Sequence, residues 1–589
     1  MQGRRRRIRL SAYAVAAVLL LYALALGWTA FKTTAHLRDA QAAVGPLRSA
    51  LVDQRTPAAE IDRRLRALQH EADAARSLTD GPLWGLPAAL PRVGEAFETV
   101  RGASVAVSRV AHEVLPPVSR ARNGLFGVSL ENPRGGIDLA PIQAAQQPLG
   151  EAQRAAEAVR ADVGALPTSG IGAVDAARRD LVTQLDEVAA QLSSSHDLVS
   201  LLPPMLGSQG SRRYLVAFQN DAEARGAGGL PGVYAVVRAD KGKLDFVRYG
   251  VSGDFAGVHV PLDGLGEDYA KLYRGAAPGR FFGNATVSPH FPSGATLLLR
   301  YHEARYHDRL DGAVAIDPTA LSMLLAVTGP TTLEDGTRVG ANNVVALTER
   351  DAYERFPDPV LRKLYLIEVA KAVADDILER GPRMGMALAS ALGKAVDARR
   401  LLVFSTHEPE QVLLASRKVG GALSDTDGLF SGVVINNGGG NKLDYYLERA
   451  VTYQAASCSS STPHKATVTV RLTNTAPKSG LSDYVAGRAD QPVVPVKKGT
   501  NRLLVSYYAT KGAGFTQATL DGEPALLASD TERGRPVFTS TLDIGPGQTR
   551  VLRLTIEEPP QAKGPVITLV QPLVRPQKTV VDAAGCPAS

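Results

Sequence analysis

"YLVAFQNDAEARGAGGLPGVYAVV", residues 214–237, decides how this chain is read. Two apolar runs, 214–218 and 233–237, have the β-branched and aromatic content of buried strands. Between them stand Asn220, Asp221, Glu223 and Arg225, set against Gly226, Gly228 and Gly229. Two readings are open. In one, glycine N–H groups form an anion-binding nest beside Arg225, which forks onto a phosphate or carboxylate, while Asp221 and Glu223 hold a divalent cation or hold Arg225. In the other, the stretch is a satisfied strand-to-strand turn in which Asn220 caps backbone groups and Glu223 pairs with Arg225.

Working downstream, "GVYAVVRADKGKLDFVRYG" reads as a hairpin turning at 240–243. Residues 290–306 read as a helix, and "RLDGAVAIDPTALSMLLAVTGP" as a strand, a Pro-started helix and a Gly-Pro stop. "DPVLRKLYLIEVAKAVADDILERG" is a long amphipathic helix, and "RRLLVFSTHEPEQVLLASRKVG" a strand followed by a helix. Strands alternating with helices predict an α/β core over 206–440. Beyond it, "KATVTVRLTNTAP", "NRLLVSYYATKG" and "GQTRVLRLTIEEP" alternate apolar and polar residues, which predicts an immunoglobulin-like β-sandwich over 441–560 and a Pro-rich tail over 561–589.

Upstream the texture is helical. "AEIDRRLRALQHEADAARSL" sets Ile61, Leu65, Leu68 and Ala72 on one face, and Leu181, Leu185, Val188 and Leu192 do the same later. Residues 32–205 are therefore expected to form a helical extracytoplasmic stalk, interrupted by a packed loop at "TDGPLWGLPAALPRVG". The fold class is α+β, multidomain.

The net charge of +7 is not a nucleic-acid signal, because "RRRRIR" at Arg4–Arg9 supplies five of those charges. Residues 10–31, "LSAYAVAAVLLLYALALGWTAF", carry no charge and are long enough to cross a bilayer. Trp28 and Phe31 stand at its far end, and only Lys32 follows immediately. Residues 1–9 are thus expected to be cytoplasmic, 10–31 a signal anchor in the cell membrane, and the bulk of the chain extracytoplasmic. The competing reading is a signal peptide cleaved near Ala23–Ala25. Outside the cytoplasm the two cysteines, Cys458 and Cys586, are disulfide candidates, a pairing that stabilises by about 4–5 kcal/mol in a chain-entropy account.

Other motifs point to no chemistry. "NNGGGNK", Asn436–Lys442, lacks phosphate-loop spacing and is read as a hairpin turn. His302 and His307 are five apart, not the four of a helical zinc pair, and are read as helix surface. Asp308, Asp311 and Asp317 flank a strand and are candidate site carboxylates. No metal site and no hydrolase elbow is predicted.

The Asn-x-x-Glu-x-Arg-x-x-Gly-Gly pattern of Asn220, Glu223, Arg225, Gly228 and Gly229 resembles the hallmark of the bacterial family catalogued as domain of unknown function 4012. "LDGAVAIDPTALSMLLAVTGP", "LLVFSTHEPEQVLLASRKVGGAL" and "VINNGGGNKLDYYLERAVTY" fit it in the same order. The resemblance implies a membrane-anchored envelope protein of no established activity, and makes those five residues ligand or anion candidates. The chain more distantly resembles the LytR–CpsA–Psr cell-wall ligases, which transfer glycopolymers from polyprenyl-pyrophosphate carriers using arginines, aspartates and magnesium. That likeness implies Arg225 as phosphate clamp and Asp311 or Asp317 as metal neighbours. The Arg-Asp and Pro-Arg-Asp segments of those ligases are missing here. Two functions follow as expectations: a scaffold or ligand-binding protein for surface polysaccharide or its assembly, with a polyprenyl-linked glycan or envelope proteins as partners, or a phosphotransferase moving a glycan from its polyprenyl carrier to the cell wall, with Mg2+ as cofactor in that case alone.

Overall fold

The computed structural model describes residues 2–53, 55–88, 94–126, 131–132, 135–455 and 462–583, with side chains from residue 17 onward save 386. Cys458 and Cys586 lie outside the described residues. The chain divides into two compact units, a helical one reaching Gln209 and a second that holds Gly210–Ser589.

In the helical unit, α1 (Gln2–Val52) is one continuous 51-residue helix, so the apolar segment and the first part of the expected stalk are a single element. Among the described residues it is the one helix long and apolar enough to cross a membrane. The predicted stripe of α2 (Ala58–Thr79) is buried in full: Ile61, Leu65, Leu68 and Ala72 all face inward. The packed breaker forms α3 (Pro82–Ala88), with Trp84 buried. Next, α4 (Gly94–Arg109) continues through a π-turn at Val110–Val114 into α5 (Leu115–Phe126). The widening has a cause in the sequence. Pro116 and Pro117 have no N–H to offer the preceding turn, so the helix opens just before them. Finally α6 (Ala140–Gly164) packs along α7 (Gly172–Met205) through Ala152, Ala156 and Leu192.

The second unit begins with a mixed five-stranded sheet. Its strands are β1 (Arg212–Arg225), β2 (Gly228–Asp240), β3 (Lys243–Val251), β4 (Gly312–Ile316) and β5 (Leu401–Ser405), in the order β3-β2-β1-β4-β5. β1 and β4 run parallel; the other pairs are antiparallel. Helices α8 (Glu267–Leu272), α9 (Phe291–Tyr306), α10 (Pro318–Thr328), α11 (Pro359–Met384) and α12 (Met386–Asp397) belong to this layer. The Asp358 carboxylate caps the predicted amphipathic helix α11 by accepting from the Val360 and Leu361 N–H groups at 2.6 and 3.4 Å.

Two further sheets share one apolar core. One contains β6 (Phe430–Asn437), β9 (Asn501–Tyr508), β11 (Ala528–Glu532), β12 (Arg535–Ile544) and β14 (Ile567–Val570). The other contains β7 (Leu447–Ala455), β8 (His464–Asn474), β10 (Gly514–Leu520), β13 (Thr549–Glu558) and β15 (Gln577–Asp582), with the short strand Glu523–Pro524 at its edge. Burial alternates strictly along β8, as its period-two sequence requires. Residues 430–437, grouped with the α/β core from sequence, are a strand of the first of these sheets. The Pro-rich tail supplies two strands, β14 parallel to β6 and β15 parallel to β7.

Two motifs differ in the structure from what their sequence predicts. Asn436–Lys442 is no hairpin turn, because β6 and β7 lie in different sheets and the loop crosses between them. The Asn437 Oδ1 accepts from the Gly439 and Gly440 N–H groups at 3.0 and 2.8 Å, so those amides are already engaged. His302 is core rather than helix surface: it is 1% exposed, with Nδ1 3.1 Å from the Asp308 carbonyl. His307 ends α9 in a left-handed conformation, φ 56°.

Candidate functional site

The deciding stretch is strand almost throughout. β1 runs to Arg225, β2 starts at Gly228, and the turn is only Gly226–Ala227. The polar residues stand in a bulge. Asn220 pairs with Leu230 and Ala224 with Gly229, so residues 221–223 are expelled from the ladder. The amides of Asp221 and Ala222 in the bulge, and of Ala224 at its end, find side-chain acceptors instead. Glu349 accepts from the Asp221 N–H at 2.8 Å, Asn220 from the Ala222 N–H at 3.0 Å, and Asp444 from the Ala224 N–H at 2.8 Å. The glycines answer to close approach. A Cβ on Gly229 would lie 2.2 Å from the Asn220 carbonyl, and one on Gly226 2.2 Å from the Val287 oxygen.

Two buried charge clusters result. In the first, Glu223 lies between Arg225, whose Nη2 donates at 3.1 Å, and Lys442, whose Nζ donates to its other oxygen. Arg225 also donates to Asn284 at 2.9 Å and to the Ala224 carbonyl at 2.8 Å. Burial lowers the Arg225 guanidinium to about 10 and the Lys442 ammonium to about 8. In the second cluster, three carboxyls, Asp221, Asp317 and Glu349, surround one guanidinium, Arg400. Asp317 also caps α10, accepting from the Ala320 N–H at 2.7 Å. Burial first, and then the charges of Asp317 and Glu349, push the Asp221 carboxyl well above its usual range; burial raises Glu349 to about 8. The cluster therefore retains protons at neutral pH. Among the described residues, Asp221 Oδ1, Glu349 Oε2 and Gln219 Nε2 are buried atoms without a hydrogen-bond partner.

A cavity of about 120 Å³ opens between the middle of β1, the C-terminal end of β4 and helix α11. Its lining includes the apolar side chains of Phe218, Leu230, Ile316 and Leu366. It also includes the polar and charged residues Asn220, Glu349, Tyr353, Arg362, Lys363 and Lys442. Arg362 is fixed there by stacking 3.9 Å over Tyr484 and donating to the Phe356 carbonyl at 2.9 Å. A larger cleft of about 1200 Å³ shares Leu230, Ser252 and Lys363 with it and is lined by Arg225, Arg280, Asn284 and Asn436.

Of the predicted site residues, Asn220 faces the cavity and Arg225 the larger cleft. Glu223 joins Arg225 to Lys442, while Gly228 and Gly229 pair with Arg225 and Ala224. Asp317 lines the cavity, but Asp308 and Asp311 do not reach it. They join the start of β1, Asp308 through the Arg213 guanidinium and Asp311 through the Arg213 amide. Sequence reasoning missed Glu349, Tyr353, Arg362, Lys363 and Arg400. The donor set does not suit magnesium, since the Arg400 guanidinium already stands between Asp221 and Asp317, and no group of metal-ligating side chains occurs among the described residues.

Residues 209–353 of the chain match the family described as Protein of unknown function (DUF4012), and that segment contains the bulge, the glycine pair, Asp317 and Glu349. No curated protein matches the chain. No solved structure matches it either.

Proposed function

We propose that this chain is a single-pass, membrane-anchored extracytoplasmic protein of the bacterial cell envelope that binds an amphiphile with an anionic head. It acts as a ligand-binding protein for surface polysaccharide or its assembly. The observation that carries the reading is the mixed lining of the cavity, in which Phe218, Leu230, Ile316 and Leu366 accompany Arg362, Lys363 and Lys442. A lipid-linked phosphate has that combination of chemistry, an apolar chain beside charged oxygens. The cavity has room for on the order of ten water-sized groups, enough for the head-proximal part of a polyprenyl chain. Asn220 and Arg225 are the motif residues we assign to ligand contact, one on the cavity and one on the cleft that would take the attached glycan. Glu223, Gly228 and Gly229 hold them in place. The uncharged run at 10–31, preceded by five arginines, anchors the chain with its N-terminus in the cytoplasm.

A second reading, transfer of a glycan from a polyprenyl-pyrophosphate carrier, is favoured by Glu349. Its carboxyl, with a pKa of about 8, lines the cavity and can give or take a proton near neutral pH. The test is titration of the detergent-solubilised full chain with farnesyl phosphate, a short polyprenyl phosphate. Saturable binding, weakened about tenfold or more by Lys363→Ala, is expected from the loss of one charge-assisted contact. Absence of saturable binding to the wild type rejects the amphiphile reading.

A further inference from the structure

The short helix α3 lies beside the apolar part of α1. Tyr22 Oη donates to the Leu83 carbonyl at 2.7 Å, and Trp84 Nε1 donates to Thr29 Oγ1 at 3.0 Å. Trp84 is buried, whereas Leu86 of the same helix is 66% exposed. Around the contact, Leu20, Leu21, Leu24 and Trp28 of α1 are themselves exposed. The sequence from Gly81 to Pro91 carries no charged residue.

Length arithmetic sets the depth of this contact. Between Arg9, the last residue of the basic run, and Tyr22 stand residues 10–21. At 1.5 Å per residue they rise about 18 Å, well short of the roughly 30 Å of a hydrocarbon core. A span that starts after Arg9 therefore ends near Thr29, and any tilt moves its end further along the helix. The Leu83 carbonyl then meets α1 about 12 Å inside the outer boundary, and Trp84 meets it near that boundary. The two hydrogen bonds fit this environment. Tyr22 needs an acceptor and the Leu83 carbonyl a donor where water is absent, and each satisfies the other.

We infer that residues 81–88 are a second membrane contact, seated in the outer leaflet against the anchor helix with Leu86 facing lipid acyl chains. This rests on the reading of 10–31 as a membrane span. It makes α3 a stop that fixes the height and rotation of the helical unit above the bilayer, which a single span leaves free.

The test is photo-crosslinking of the full chain in phospholipid vesicles, with p-benzoylphenylalanine placed singly at Leu86, Leu24 or Arg63. Leu24 reports the anchor. Arg63 is an aqueous control, because its neighbour Arg64 reaches the Pro46 carbonyl of α1, fifteen residues beyond Phe31. Lipid adducts at 86 and 24, with none at 63, are expected. Adducts at 24 but not at 86 overturn the second contact and leave the anchor standing. No adduct at 24 removes the anchor and the inference with it.

Discussion

Asp221 and Asp317 meet on one guanidinium nitrogen, Nη1 of Arg400, at 3.2 and 2.6 Å. With Glu349 beside them, three buried carboxyls share one permanent cation. Removing that cation leaves the carboxyls uncompensated. Arg400→Met is expected to destabilise the chain by about 3–5 kcal/mol. Asp221→Asn should cost far less, because the Asp221 carboxyl is already biased towards its protonated form. Thermal unfolding of the two variants side by side checks the order.

The same cluster predicts a pH dependence. Glu349 titrates at about 8 in the folded chain against 4.5 in its ordinary state. Between those values the folded state holds a proton that the unfolded state has lost. Its contribution to stability is complete below about 4.5 and is lost as pH rises to about 8. Lys442 acts with the opposite sign and higher up. Its folded value of about 8 lies below its usual 10.5, so stability rises with pH across that window. Denaturant unfolding as a function of pH should show the lower slope flattened in Glu349→Gln and the upper one flattened in Lys442→Met.

The glycines of β2 are expected to differ sharply among themselves. Gly229→Ala drives a Cβ into the Asn220 carbonyl at 2.2 Å, a backbone contact that cannot move aside cheaply, and should cost roughly 3 kcal/mol or more. Gly232→Ala meets only a Leu230 methyl at 3.8 Å and should be nearly neutral. Expression level and melting temperature of the pair read this out.

The tail strand bears on the cysteines. In the parallel pairing of β15 with β7, Asp582 stands opposite Gln454. Cys458 and Cys586 each follow these partners by four residues in sequence, a reach of up to about 13 Å of extended chain on either side. A disulfide between them is the expected state outside the cytoplasm. Intact mass without reductant should be lower by the two thiol hydrogens, and Cys586→Ser should lower stability by about 4 kcal/mol. Free thiols on protein taken from the membrane would contradict both the bridge and the extracytoplasmic placement.

Local pattern was the legible part of the sequence. The stripe Ile61, Leu65, Leu68 and Ala72 is buried at every position, because one helix face fixes all four at once. On α7, Leu185 and Leu192 are buried while Val188 is 37% exposed, because that helix packs along only part of its apolar face. The Glu223–Arg225 pair was legible at a separation of two residues. Glu349 and Arg400 were not. They reach Asp221 across 128 and 179 residues, and neither has a local pattern that marks it. The crossover at Asn436–Lys442 departs from its sequence pattern for a related reason. Glycine and asparagine report that the chain bends, not which sheet it bends towards.

Ligand binding is expected in the cavity between β1, β4 and α11. Native mass spectrometry of the detergent-extracted full chain, wild type against Lys363→Ala, measures its occupancy directly. A bound polyprenyl phosphate or pyrophosphate is expected on the wild type, reduced or lost in the variant with folding intact. A wild-type mass with no lipid, indistinguishable from the variant, would contradict it.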